Sequence, residues 1–426
     1  MPTSAGPNSK GENSLVFAID MADTQNSNLG APTENLFLNP TFIGDDRTFT
    51  IPQNWGWSGY TGQSGWRFYD KTNSPILLKF PNEQAAITTG NNDDPEIRTN
   101  RRFYCSAVLE PNTTYTVSVW MYYDGPGNMS NAISHFEYDD SGNGLPLNSG
   151  YFKNFSTFIS ENNISRGEWF RFQDTYTTGE GYERGLIGPV ISGTKNNLIA
   201  MQRFQIEKKS YATPFVNGER TAYNSIKDLT KKTSIGANFV NFNSEGKILF
   251  DGTGTNNNLY VDQNNDDHLK LYGDHTIEAI VNPYSDGWVD STASIIRFGM
   301  GGDLLYAFQV ANRNQLVYHW VDTGFRAVYS PGGIVNENQY NHVLVVKSGL
   351  TVTFYSNGVY AGQYGITQSA VDPGRIGIGA TRYASVAGTT GQDFSGEIPM
   401  LKIYNKALSA EEVSANFEVI RKRFNI

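Results

Sequence analysis

The side chains with chemical potential in this sequence are mainly aromatic. Proteins recognise sugars with flat aromatic faces that stack on the ring and polar groups that meet its hydroxyls. Trp57, Tyr60 and Trp66 lie in a Gly-rich stretch, Trp288 follows Ser285-Asp-Gly, and Trp320 precedes Asp322 by two residues. These five are the candidates for a sugar contact, each with core or rim packing as its plain alternative. Trp55 and Trp169 read as core positions. The histidines are His135, His268, His275, His319 and His342, and none stands in His-Glu-x-x-His or another zinc spacing. The single cysteine, Cys105, sits in the strand-like run Phe103-Tyr-Cys-Ser-Ala-Val-Leu109 and reads as a buried apolar thiol. No P-loop, dinucleotide fingerprint or Gly-x-Ser-x-Gly elbow is present.

The elements that must position these residues are strands. The chain has 426 residues, with 33 Lys+Arg against 42 Asp+Glu and a net charge of -9. Only 18% of residues are charged, 13% are aromatic, and there are 43 Gly and 17 Pro. So many aromatics need a packed core, which excludes a disordered chain. Scarce helix formers and abundant Gly, Asn, Thr and Tyr exclude a helical bundle. The acidic balance excludes nucleic-acid binding through a basic face. No run of about 18 apolar residues exists, so no membrane insertion is expected. The start, MPTSAGPNSKGEN, lacks the apolar core of a secretory signal. With one cysteine no intrachain disulfide can form, and synthesis in a reducing cytoplasm is expected.

Residues 1–13 read as a flexible arm. Ser14-Leu-Val-Phe-Ala-Ile-Asp20 reads as one buried strand closed by a turn cluster. In Thr113-Thr-Tyr-Thr-Val-Ser-Val-Trp-Met-Tyr-Tyr123, Tyr115, Val117, Val119 and Met121 alternate with Thr116, Ser118, Trp120 and Tyr122, the period of a strand with one face on a core. Further strand candidates run through Thr276–Val281, Ser294–Phe298, Leu304–Val310, Gln315–Trp320, His342–Val346, Thr351–Ser356 and Glu397–Tyr404. Asn357-Gly358 between two such runs signals a hairpin. One helix is read, at the C-terminus. Ser409-Ala-Glu-Glu412 is a capping box, Val413, Phe417 and Ile420 share a face, and Arg421, Lys422 and Arg423 stand at the negative end of its dipole.

From Asp251-Gly-Thr-Gly-Thr-Asn, through Thr276-Ile-Glu-Ala-Ile-Val-Asn-Pro283, Tyr340-Asn-His-Val-Leu-Val-Val346, Thr353-Phe-Tyr-Ser-Asn-Gly-Val359 and Ile376-Gly-Ile-Gly379, to Phe394-Ser-Gly-Glu-Ile398 and Ile403-Tyr-Asn-Lys-Ala-Leu-Ser-Ala-Glu-Glu-Val413, the second half resembles the concanavalin A-like lectin/glucanase superfamily in its laminin-G-like form. Tyr340 departs from the family, which often has Trp there, but stays aromatic. The ending Asn416-Phe-Glu-Val-Ile-Arg-Lys-Arg-Phe-Asn-Ile426 resembles the C-terminus of tailed-bacteriophage virion proteins that carry this domain, and the start Leu15-Val-Phe-Ala-Ile-Asp-Met-Ala-Asp-Thr-Gln-Asn-Ser27 resembles its opening strand in those proteins. Gln205-Ile-Glu-Lys-Lys-Ser-Tyr-Ala-Thr-Pro-Phe215 is similar to the end of carbohydrate-binding-module-like jelly rolls in phage fibre and tail proteins.

The resemblance implies an all-β fold of two antiparallel β-sandwiches, a jelly roll and a concanavalin A-like domain, with a short C-terminal helix. It also implies a discontinuous order: residues 14–30 plus 212–426 in the concanavalin A-like sandwich, and 31–211 as an inserted jelly roll. A linear order of arm, first domain and second domain is the simpler alternative. Glucanases of this fold use Glu-x-Asp-x-x-Glu on one strand; the nearest string, Glu137-Tyr-Asp139, lies in the other domain, lacks the last Glu, and reads as a strand entering a turn. Both domain types often bind calcium, which would fall on Asp262, Asp266 and Asp267, although a solvated turn explains that run as well. No other cofactor is implied. The function to expect is a non-enzymatic virion structural protein, a homo-oligomer among other virion proteins. It would assemble in the host bacterial cytoplasm and display lectin-like domains toward host-surface or environmental glycans. A purely architectural role and a polysaccharide-degrading glycosidase are the alternatives.

Overall fold

The computed structural model describes residues 14–23, 26–37, 39–42, 55–57, 66–69, 76–89, 101–107, 109–125, 133–138, 150–182, 184–191, 198–221, 225–238, 240–242, 247–252, 258–261, 267–271, 273–287, 291–299, 306–367, 376–380 and 392–426. The fold is mostly β, in antiparallel sheets with a C-terminal helix. The chain divides into two compact units, Met1–Pro32 with Thr221–Ile426, and Thr33–Arg220. The flexible-arm reading of 1–13 lies outside the described residues.

The unit holding both chain ends is built from an eight-stranded and a seven-stranded sheet. The eight-stranded sheet runs in the order Asn241–Phe242, Ile248–Asp251, Ser395–Tyr404, His275–Pro283, Asn341–Ser348, Thr351–Ser356, Val359–Gly365, and Leu15–Asp20 also pairs with Ser395–Tyr404. The N-terminal strand therefore completes a sheet whose other members lie more than 200 residues away. Its other edge is covered by the buried Asp228, whose Oδ1 accepts from Ala18 N–H at 3.0 Å, while Leu229 N–H donates to the Ala18 carbonyl. The seven-stranded sheet runs Gly236–Asn238, Asn258–Val261, Ile376–Ile378, Thr292–Phe298, Tyr306–Ala311, Gln315–Val321, Phe325–Tyr329. One apolar core gathers the facing residues, among them Phe17, Ile277, Val345, Phe354, Ile296, Phe308, Tyr318 and Leu401.

The helix Ala410–Phe424 forms as its signals demand. Ser409 Oγ accepts from Glu412 N–H, and the Glu412 carboxylate accepts from Ser409 N–H at 2.9 Å. Val413 and Ile420 are buried. Asn357 (φ 50) and Gly358 (φ 75) both take positive φ, the turn that the Asn-Gly pair supplies. A Cβ on Gly358 would stand 2.6 Å from the Phe417 ring, so glycine is required there twice over. Of the three cations at the helix end, Arg423 pairs with Asp20 of the first strand and Arg421 with Glu418.

Beneath the helix, the eight-stranded sheet carries a buried polar cluster. Glu278 accepts from His342 Nε2 at 2.7 Å, Tyr404 Oη at 2.9 Å and Asn416 Nδ2 at 3.1 Å, with Lys402 Nζ at 4.0 Å. Burial pushes the Glu278 carboxyl up, but Lys402, His342 and Tyr404 outweigh it and hold it at about 2. His342 stacks on Phe417 at 5.7 Å. It is a structural residue that seats the helix.

The unit Thr33–Arg220 pairs two five-stranded sheets. One runs Trp169–Thr177, Thr114–Asp124, Leu198–Glu207, Ala85–Thr89, Trp66–Tyr69; the other runs Trp55–Trp57, Arg101–Ala107, Arg184–Ile191, Ile133–Tyr138, Gly150–Tyr151. Tyr115, Val117, Val119 and Met121 enter its core, the alternation read in the sequence. The chain enters and leaves this unit on one ribbon, Thr33–Glu34 against Glu219–Arg220. The buried Glu207 locks it, accepting from Thr33 Oγ1 (2.8 Å), Thr213 N–H (2.7 Å) and Gln205 Nε2 (2.8 Å), while Arg220 donates to Thr213 Oγ1 at 2.6 Å. The compact unit ends at Arg220, beyond the residue 211 expected from the sequence, and holds both Thr213, a partner of Glu207, and Arg220, a partner of Thr213.

Candidate functional site

The strand Gln315–Val321 turns Leu316, Tyr318 and Trp320 into the core and His319 to the opposite face. Trp320 is 5% exposed, stacks on Tyr318, and donates its indole N–H to Thr367 Oγ1 at 2.8 Å. It is a packing residue, which removes it as a sugar platform: its ring faces are already covered. The aromatic surface lies on the next strand. Phe325–Tyr329 pairs antiparallel with Gln315–Val321 in the register Val321↔Phe325, His319↔Ala327, Val317↔Tyr329. Phe325 and Tyr329 therefore flank the partner of His319 on the outer face, 58% and 43% exposed.

The imidazole of His319 lies between these rings, 4.8 Å from Phe325 and 6.5 Å from Tyr329. It is 3% exposed, and neither ring nitrogen has a hydrogen-bond partner among the described residues. Burial, with a smaller push from Arg297, holds its pKa at about 4, so it is neutral near pH 7 and carries one donor and one acceptor. Leaving such groups unmade costs about 1–3 kcal/mol each.

The hairpin that sets these rings is fixed by Asp322. Its carboxylate accepts from Thr367 Oγ1 at 2.5 Å, from Gly324 N–H at 3.1 Å and from Arg326 Nε at 3.2 Å. The Thr367 hydroxyl, then the backbone N–H groups and Arg326, hold Asp322 at about 2. Together these residues form a half-exposed aromatic edge laid over a buried imidazole; flat exposed rings of this kind can stack on the apolar face of a sugar.

A second aromatic face occurs in the other unit. Trp120, Tyr122 and Trp169 stand half-buried on the outside of its first five-stranded sheet, with Tyr122 and Trp169 5.8 Å apart. Trp169 thus belongs to this outer cluster and not to the main core where the sequence suggested it. The segment Ile76–Gln84 straps the face: Lys79 Nζ sits 4.1 Å over Trp120, Trp169 Nε1 donates to the Leu77 carbonyl, and Gln202 bonds Phe80 on both its backbone groups.

Trp57 and Trp66 fall on strands paired with Phe103 and Thr88 respectively; Tyr60, Trp288, Asp262 and Asp266 lie outside the described residues, and Asp267 opens the short 3-10 turn Asp267–Leu269. The five are not brought into one described surface. Among the described residues no group of three or more His, Cys, Asp or Glu is placed to hold a metal ion, and no helix is long and apolar enough to cross a membrane.

Residues 251–414 match the laminin-G-type family described as the concanavalin A-like lectin/glucanases superfamily. No curated protein matches the chain. Among solved structures, the chain is similar to the Ruminococcus gnavus IT-sialidase CBM40, bound to α2,3-sialyllactose, at 17% identity over 35% of this chain and 85% of that one, TM-score 0.29. It is also similar to the receptor-binding domain of botulinum neurotoxin type G at 15% identity over 47% and 50%, TM-score 0.37. A Trypanosoma rangeli sialidase follows at 15% identity over 45% and 30%, TM-score 0.37.

Proposed function

We propose that this chain is a non-enzymatic, lectin-like structural protein of a tailed-phage virion that binds host-surface or environmental glycans through the outer face of its seven-stranded sheet. The observation that carries the reading is the pair of exposed rings, Phe325 and Tyr329, set about a buried His319 that has no hydrogen-bond partner among the described residues. The laminin-G-type match over 251–414 supports a lectin-like role, and the resemblance of the two chain ends to phage virion proteins supports the setting. A virion protein would be assembled in the bacterial cytoplasm and released by lysis, which would bring its lectin-like face to the outside. Copies repeated by virion symmetry, beside other virion proteins, offset weak single-site affinity by multivalency.

The purely architectural reading is favoured by one observation: the strap Ile76–Gln84 already occupies the Trp120 face of the inserted unit. A glycan array probed with the assembled protein separates the two. Binding that the double substitution Phe325→Ala, Tyr329→Ala abolishes supports adhesion; no binding to any glycan supports architecture. Purified virions that lack the protein would refute the setting.

A further inference from the structure

We infer that the strand Phe325–Tyr329 pairs edge to edge with the same strand of a second copy of this chain, so that rings from both copies form one aromatic platform. The platform rests on the glycan-binding reading; the pairing stands without it. Phe325–Tyr329 is the last strand of the seven-stranded sheet and pairs with Gln315–Val321 alone among the described strands. Ser330 N–H donates to the Leu316 carbonyl, so the even-numbered residues of the strand turn their backbone groups toward that neighbour. Phe325, Ala327 and Tyr329 turn theirs outward, where nothing among the described residues receives them. An edge of this kind is a template for another strand.

The order of the residues names the occupant. A two-fold axis at Ala327 sets Phe325 opposite Tyr329 of the second copy, Ala327 opposite its own copy, and Tyr329 opposite Phe325. Each opposed pair exchanges both of its N–H···O bonds, and all of these side chains fall on the outer face. The exposed rings of one copy thus meet those of the other as cross-strand aromatic pairs, with Cβ atoms about 5 Å apart. Arg326 falls opposite Val328 of the second copy, and Asp322 already neutralises it at 3.2 Å, so no like charges meet. The longer edge Val359–Gly365 of the eight-stranded sheet is less suited. Its register against Thr351–Ser356 shifts between Thr353 and Tyr355, a bulge that throws its outward groups out of step. The register of Phe325–Tyr329 is unbroken. The joined strands carry two aromatic rungs about 14 Å apart, and a glycan chain lying across both touches residues of both copies.

Sedimentation velocity of the full chain at micromolar concentrations tests the pairing, and a dimer is expected. Proline is tolerated on an edge strand where the lost N–H faces outward. Ala327→Pro should therefore keep cooperative unfolding and weaken self-association at least about tenfold. Phe325→Glu and Tyr329→Lys should each give monomers. The chain carrying both should dimerise again, because opposite charges then face each other across the two-fold. A wild type that stays monomeric, forms trimers, or dimerises equally well with Ala327→Pro overturns the inference. So does a double variant that associates no better than the single ones. Should Ala327→Pro fail to fold, the charge variants decide. Binding to immobilised host-surface polysaccharide is then read on the same proteins. Weaker binding by the Ala327→Pro monomer, whose rings are intact, supports the shared platform; equal binding overturns the platform and leaves the single face standing. A dimer that binds no glycan refutes the glycan reading and leaves the pairing standing.

Discussion

At the residue scale, Glu278 shows how one buried group reports on the whole sandwich. Its carboxyl is held at about 2 in the folded chain, below its ordinary value of 4.5. Its stabilising contribution is therefore complete above the unfolded value and is lost as pH falls from about 4.5 toward 2. Thermal unfolding followed across pH 5 to 2 should fall more steeply for the wild type than for Glu278→Gln. At neutral pH that substitution leaves Lys402 without its counter-charge and is expected to cost on the order of 3–5 kcal/mol, read by denaturant titration. Equal pH slopes for both proteins would contradict the assignment. The sequence made His342 structural by family position, and the cluster is the physical reason. The same scale shows where reading by residue type fell short. Trp320 was singled out for its type and its neighbour Asp322, yet alternation along Gln315–Val321 sends it inward with Tyr318. Phe325 and Tyr329 share a face at i, i+4 of a short strand just past an Asp-Thr-Gly turn, and that spacing was the available signal. His319 carried none, because its lack of a partner arises only from its cross-strand neighbours.

At the element scale, the helix was the most legible part, since a capping box and a 3.6-residue stripe are local codes. Ser409→Ala should cost about 1 kcal/mol, the ordinary price of a lost N-cap. Gly358→Ala should be worse, at roughly 1–3 kcal/mol, because it adds backbone strain at φ 75 and a clash with Phe417. Equilibrium unfolding of the two variants checks the order, and a larger loss in Ser409→Ala would contradict it. The strand alternation over Thr114–Asp124 was equally plain. The strap Ile76–Gln84 was not, since its hold on the sheet comes from Gln202, Trp120 and Trp169, all distant in sequence.

At the scale of the whole molecule, the pairing of Leu15–Asp20 with Ser395–Tyr404 and the ribbon of Thr33–Glu34 with Glu219–Arg220 describe one chain path. A chain that enters and leaves Thr33–Arg220 on adjacent strands lets that unit be excised. Residues 33–220 alone should fold with a cooperative transition, and joining Pro32 to Thr221 through a short linker should leave the remaining sandwich folded; loss of cooperative melting in both pieces would contradict this division. The flanking motifs lead the sequence reading to an insertion over 31–211, and nothing local marks Thr213 and Arg220 as parts of the Glu207 lock. The outer face of the seven-stranded sheet is the proposed glycan surface. The most direct test is binding of the assembled protein to immobilised host-surface polysaccharide, with and without Phe325→Ala, Tyr329→Ala. Saturable binding is expected, falling at least about tenfold in the doubly substituted, fully folded protein; undiminished binding by that variant would rule out this face as the glycan surface.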